Sequence, residues 1–304
     1  MQTRARIALA VAVTLAVVIG ACVVGTGWYV VRQLGWVGGG GCTVEVDGRT
    51  VELDAGQGEA AGLVAGRAVG RGLPARAASI ALTVAVADHD LDADELGGSP
   101  DGVLAWADET YAAVTGVDGY REREVADVAA EVGGGDQGRY AEHEDDARAL
   151  ASALTGNSPE AFTCDTRVDA EEASDDLNGA GLVPRAQRVL DDLRAVFGDL
   201  PVGGFAPEGV STGHIEGSAH YEGRAVDVFF RPVNERNNVR GWAVAHYLMS
   251  QADRLAVRTV IFDDRIWTSS VRAGQGWRDY DAPDRAGDVA ILEHRDHVHV
   301  DVVD

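Results

Sequence analysis

Residues able to do chemistry gather in two short stretches of this sequence. The first is Ser218-Ala219-His220-Tyr221-Glu222-Gly223-Arg224-Ala225-Val226-Asp227, and the second is Asp296-His297-Val298-His299. Histidine and aspartate are good zinc ligands, and three protein ligands leave a fourth position open for water. His220 and Asp227 lie too far apart in sequence for one helical turn, but a turn at Gly223 leading into a strand would bring both to one metal. His297 and His299 are two residues apart, so a strand points both to one face while Val298 and Val300 point into the core. One of these two histidines can bind metal while the other faces substrate. His214 and His294 flank the clusters; they read as loop histidines, with alternative ligands as the competing reading. The spacing between His220 and Asp227 is a weak signal alone, because acidic chains produce it by chance. The ten-residue block together with the late His-Val-His is a strong one.

The elements that must position these residues follow from pattern. Pro184 starts a helix in which Ala186, Val189, Leu190, Leu193, Val196 and Phe197 recur at helical spacing up to Gly198. Short strands are expected at Val202–Phe205, Ala225–Phe230, Val257–Phe262, Arg265–Thr268 and His297–Val302, with a helix from about Asn238 to Leu255. This is an α+β domain over 182–304 with a small antiparallel sheet. Trp242 reads as core. Trp267 and Trp277 bracket a Gly/Ser loop and either wall a groove or pack in the core.

Upstream the pattern is helical. Thr43 to Leu53 suggests a strand or hairpin, and Asp54 can N-cap a helix to about Arg71. Further helices are expected at Ala75–Ala87, Val103–Val114, Arg121–Val132 and Tyr140–Leu154. The expected unit is an all-α domain over 42–165, followed by an acidic linker over 166–181. Asp90, Asp92 and Asp94 alternate with the spacing of ligands in a calcium loop, but the EF-hand glycine and terminal glutamate are missing, so the segment reads as a solvated acidic loop.

Arg4 and Arg6 precede an uncharged run from Ile7 to Val31, which is long enough to span a bilayer. Residues 1–32 are therefore expected to be a transmembrane anchor, with the bulk of the chain extracytoplasmic. A cleaved signal peptide and a lipoprotein processed at Cys22 are the alternatives. Gly38 to Gly41 would be a stalk over 33–41. Cys42 and Cys164 then read as one disulfide in an exported chain. The formal net charge of −23, from 26 basic and 49 acidic side chains, argues against nucleic acid as a partner. Residues 43–165 carry −17 of that charge and residues 166–304 carry −9. Oligomeric state is not legible.

The block Ser218–Asp227 followed by the late His-Val-His resembles the zinc peptidases grouped with lysostaphin, D-Ala-D-Ala peptidases and the hedgehog signalling domain, the LAS group. Within it, the D-Ala-D-Ala carboxypeptidase and L-alanyl-D-glutamate peptidase branch is nearest. The resemblance implies that His220, Asp227 and His299 hold zinc, that Ser218 and Arg224 shape the substrate site, and that His297 sits beside the metal-bound water. Many members carry glutamate three residues before the last histidine. Here that position is Asp296, one methylene shorter, so either Asp296 or His297 would be the base. The segments Pro74–Leu82 and Tyr140–Leu150, with the bracketing cysteines, are similar to a lysozyme-like (lytic transglycosylase-like) module. An active version would carry a catalytic glutamate at the end of the buried helix. Here that helix ends in Ala87-Asp88-His89-Asp90, so the module is read as degenerate. The expected fold class is thus a transmembrane helix, an all-α lysozyme-like domain and a LAS/hedgehog-type peptidase-like domain. The expected function is a membrane-anchored zinc metallopeptidase hydrolysing peptidoglycan stem peptides. The alternative is a non-catalytic zinc-containing peptidoglycan-binding or scaffold protein.

Overall fold

The structure, a computed structural model, describes residues 40–168, 173–270 and 272–304. Strands β1 (Cys42–Val46) and β2 (Arg49–Leu53) form an antiparallel hairpin. Its turn is Asp47-Gly48, both at positive φ, the conformation that suits a two-residue hairpin loop. Helix α1 (Ala55–Gly70) starts in a capping box: Asp54 accepts from the Gln57 backbone N–H, and the Gln57 side chain accepts from the Asp54 N–H. Helices α2 (Ala75–His89), α3 (Pro100–Gly116), α4 (Val125–Gly133), α5 (Gln137–Ala141) and α6 (Glu144–Leu154) follow. Strand β3 (Phe162–Cys164) then returns to pair with β1, which sets Cys42 directly opposite Cys164, and the two are disulfide-bonded.

Two expectations need correction at this point. The first region is not all-α, because β2-β1-β3 forms a three-stranded antiparallel sheet at its start and end. The expected anchor at 1–32, with the lipoprotein cysteine Cys22, lies outside the described residues. Among the described residues no helix is long and apolar enough to cross a membrane, so the transmembrane element and the membrane location drawn from it are withdrawn.

The remaining elements are α7 (Pro184–Phe197), β4 (Val202–Gly203), β5 (Ala225–Phe229), α8 (Glu235–Ser250), α9 (Ala252–Leu255), β6 (Val257–Phe262), β7 (Arg265–Thr268), β8 (Arg278–Asp279), α10 (Val289–Leu292) and β9 (His297–Val302). The strands form a six-stranded antiparallel sheet ordered β4-β5-β9-β6-β7-β8, larger than the small sheet expected. The last strand of the chain is therefore internal, between β5 and β6. Alternation splits the sheet into two faces. Val226, Val228, Val260, Phe262, Val298 and Val300 are buried on the face covered by α8, where the Trp242 ring meets that of Phe262. Asp227, His297, His299 and Asp301 alternate with them and lie on the other face.

The two regions share one hydrophobic core, and Gly41–Asp304 is one compact unit. Helix α1 approaches α7 and α8 closely along its glycines. A Cβ at Gly62 would fall 2.1 Å from Ser250 Oγ, and one at Gly70 would fall 2.2 Å from the Val196 carbonyl. Trp267 Nε1 donates to the Cys164 carbonyl and Trp277 Nε1 to that of Phe162, so both tryptophans tie β3 to the larger sheet rather than wall a groove. His246 on α8 donates from Nδ1 to the Ala153 carbonyl across the same seam.

Candidate metal centre

Three backbone segments deliver the donors. Ser218 caps the short 3-10 turn Ala219–Glu222, its Oγ accepting from the His220 N–H at 3.4 Å, and Gly223 leaves that turn at positive φ and leads into β5. The turn holds His220 and β5 holds Asp227, as the Gly223 reading required. Strand register does the rest, since Asp227 on β5 lies directly opposite His299 on β9. His220 Nε2, Asp227 Oδ1 and His299 Nδ1 then form a triangle with edges of 3.0, 3.2 and 3.2 Å. All three residues are buried.

The outer hydrogen bonds decide which ring nitrogens face inward. His220 Nδ1 lies 2.7 Å from the Gly204 carbonyl, which can only accept, so the proton sits on Nδ1 and Nε2 presents a lone pair. His299 Nε2 lies 3.4 Å from Asp301 Oδ2, which leaves Nδ1 as its inward lone pair. Two imidazole lone pairs and a carboxylate oxygen thus converge on one point, and only a cation or a shared proton relieves that convergence. Where a proton rather than a cation fills that point it rests on His299: burial pushes the imidazole down, but the hydrogen bonds and negative charges of Asp227 and Asp301 outweigh it and raise its pKa to about 9. Burial alone would raise the Asp227 carboxyl, yet with a proton shared at that point its contacts with His220 and His299 hold it far below the usual carboxylate range. Gly204 has to be glycine: its φ is +80°, and a Cβ there would lie 2.4 Å from His220 Cε1 and 2.9 Å from Asp227 Oδ2.

Of the second cluster, His297 faces the same point, with Nε2 3.8 Å from Asp227 Oδ1. Asp296 stands behind it. Its Oδ1 accepts from His297 Nδ1 at 2.6 Å and its Oδ2 accepts from Arg231 Nε at 2.6 Å, so both oxygens are engaged. Burial would raise the Asp296 pKa, but these two hydrogen bonds win and lower it. Arg224 lines the cavity, but its guanidinium is held by the Val302 carbonyl and by Glu222 and Asp304.

The loop histidines lie closer to the centre than the sequence suggested. The His214 ring stacks on His220 with centroids 3.9 Å apart, and His214, His220 and Asp227 bring ligand atoms within 4.8 Å of one another, a group that could hold a metal ion. Tyr221 pins His214 there: its hydroxyl donates to the His214 carbonyl and accepts from the His214 N–H. Burial and the neighbouring His220 lower the His214 pKa to about 4. His294 packs against His297 with centroids 4.6 Å apart, and burial lowers its pKa to about 3. Their place one segment before each cluster was the available signal; nothing local told a loop over the site from a loop in solvent.

The cavity over this centre has a volume of about 580 Å³. The loop bearing His214 and Ile215 forms one wall, and the segment from Tyr280 to Leu292 forms the other. Arg285 joins the walls by donating to the Gly213 carbonyl.

Residues 178–290 match a family model described as VldE, C-terminal domain. That stretch contains His220 and Asp227 and stops before β9. No curated protein matches this chain, and no solved structure does.

Proposed function

We propose that this chain is a zinc-dependent peptidase acting on short peptides of the bacterial cell-wall type, with His220, Asp227 and His299 as the ligands. The observation that carries this reading is the donor triangle with its outer hydrogen bonds. Ligands at zinc–nitrogen and zinc–oxygen distances in a tetrahedral site stand about 3.3 Å apart, close to the 3.0–3.2 Å edges. Two imidazoles and one carboxylate are a donor set suited to zinc. Each ligand histidine also has an outer acceptor that orients it, as metal-binding histidines usually do. The likeness of the Ser218–Asp227 block and the final His-Val-His to the LAS peptidases supports the choice of substrate.

Zinc bound there supplies Lewis-acid polarisation of the scissile carbonyl and a nucleophile at neutral pH. The chain's own residues do the remainder. His297 has its Nδ1 proton committed to Asp296, so its Nε2 faces the cavity as a base that can take a proton from water and return it to the leaving amine. Asp296 is assigned to orienting that ring, because neither of its oxygens is left to face substrate. Arg231 fixes Asp296 in turn.

The test is digestion of cell-wall stem peptides by the whole protein with one equivalent of zinc, read by mass spectrometry. Release of a defined fragment, lost in His299→Ala together with stoichiometric zinc, is the expected result. Zinc binding without hydrolysis across the panel leaves a peptidoglycan-binding or scaffold role. Absence of stoichiometric zinc in the native chain removes both.

A further inference from the structure

The cavity is cationic in an acidic chain. Among the described residues its acidic lining is Asp227 and Asp301, both engaged with histidines, whereas Arg231, Arg258 and Arg285 also line it. Arg258 is the informative one. The pairing of β6 with β9 shifts register between Val257 and Thr259, a bulge with Arg258 at its centre. Without it, Arg258 would share the core face with Val260 and Phe262; bulges re-aim side chains in this way. The Arg258 side chain is 54% exposed, and its nearest carboxylate is that of Asp304 at 3.9 Å. Thr259, its neighbour, pairs with Asp301, two residues along β9 from His299. Ile261 pairs with His299, so at strand rise Arg258, three residues before it on β6, stands on the order of 8–10 Å along the sheet from that histidine. Arg231 follows β5 at the opposite end, stacked on Phe229 with its Nε on Asp296, so its terminal nitrogens remain for a ligand.

We propose that the cavity selects peptides carrying a carboxylate on each side of the scissile amide, that Arg258 binds one of them about two to three residues from the bond, and that Arg231 binds the other. The proposal rests on the peptidase reading above. A charge-assisted contact of an arginine with a carboxylate distinguishes that group from its neutral amide by roughly 10- to 100-fold.

The experiment compares Arg258→Gln with the native chain, both zinc-loaded, on short synthetic peptides that differ only in whether each flanking carboxylate is free or amidated. Binding is followed by calorimetry and hydrolysis by mass spectrometry. The expected native result is binding weakened by about 10- to 100-fold when either carboxylate is amidated. Arg258→Gln should lose the preference on one side only, through KM rather than kcat, and Arg258→Lys should recover part of it. Equal binding of free and amidated peptides overturns the proposal, as does an Arg258→Gln chain with unchanged preference, and as does no binding of any peptide. Carboxylate-dependent binding without hydrolysis retains the anion site and removes the peptidase reading. Hydrolysis indifferent to the carboxylates does the reverse.

Discussion

Two places in this molecule put carboxylates beside a buried element, and they end differently. At the end of α2, Asp88 accepts from the Tyr140 hydroxyl at 3.0 Å and pairs with Arg139 at 3.1 Å. Its charge is answered by its own chain. On the larger sheet, Asp227 meets two imidazoles that each have an outer acceptor on the other ring nitrogen, so three donors converge on a point that a shared proton or a cation must fill. A carboxylate on a folded element is common. A carboxylate that the fold surrounds with further donors is what marks a site for a cation, and only the second region has it.

Four measurements would break or sharpen that contrast, taken from the largest effect. The disulfide closes the first region with a separation of 122 residues. Cys42→Ser should destabilise the protein by about 4–5 kcal/mol in the chain-entropy model. Because both regions share one core, denaturant unfolding should remain a single transition. Two transitions would show that the regions are energetically separate.

The seam gives the next effect. Burial lowers the His246 pKa from 6.5 to about 4. Below pH 6.5 the unfolded chain takes up a proton that the folded chain refuses, so this contribution is complete above that pH and is lost as pH falls towards 4. The loss relative to a His246→Phe chain should be about 3 kcal/mol by pH 4, with metal stripped from both. A flat difference between pH 7 and 4 would remove this role for His246.

At the metal centre, Asp301→Asn keeps the shape but weakens the acceptor behind His299. Zinc affinity should fall by roughly 10- to 100-fold with the fold intact, as read by chelator competition. The smallest effect belongs to the answered carboxylate. Asp88→Asn should leave zinc affinity and any hydrolysis unchanged and cost no more than about 1 kcal/mol of stability. If Asp88→Asn impaired hydrolysis, the contrast between the regions would collapse.

Much of this was legible in residue order. Strands β6, β7 and β9 begin and end where apolar alternation put them, at Val257–Phe262, Arg265–Thr268 and His297–Val302. The hairpin option for Thr43–Leu53 and the gap between a helix ending near Arg71 and one starting at Ala75 were likewise local signals. Strand β3 was missed because three residues, Phe162 to Cys164, carry too little pattern, and what holds them extended is the partner β1. The helix expected from Arg121 begins instead at Val125, where the Ala126 N–H is met by Glu144, a partner distant in sequence. Trp267 and Trp277 were ambiguous because a tryptophan beside a loop packs equally well in a core or a groove until its N–H finds an acceptor.

Sequence by itself placed His297 and His299 on one face of β9, because side-chain direction in a strand repeats every two residues and needs no partner. Tertiary structure alone decided which of them meet. The opposition of Asp227 to His299 is a register between strands distant in sequence, set where Val226, Val228, Val298 and Val300 bury together. The choice of ring nitrogen came from the Gly204 carbonyl and Asp301, the engagement of Asp296 from Arg231, and the outward turn of Arg258 from one shift of register. Apart from Asp301, which is two residues from His299 on β9, each is a contact between distant parts of the chain, which a local pattern cannot carry.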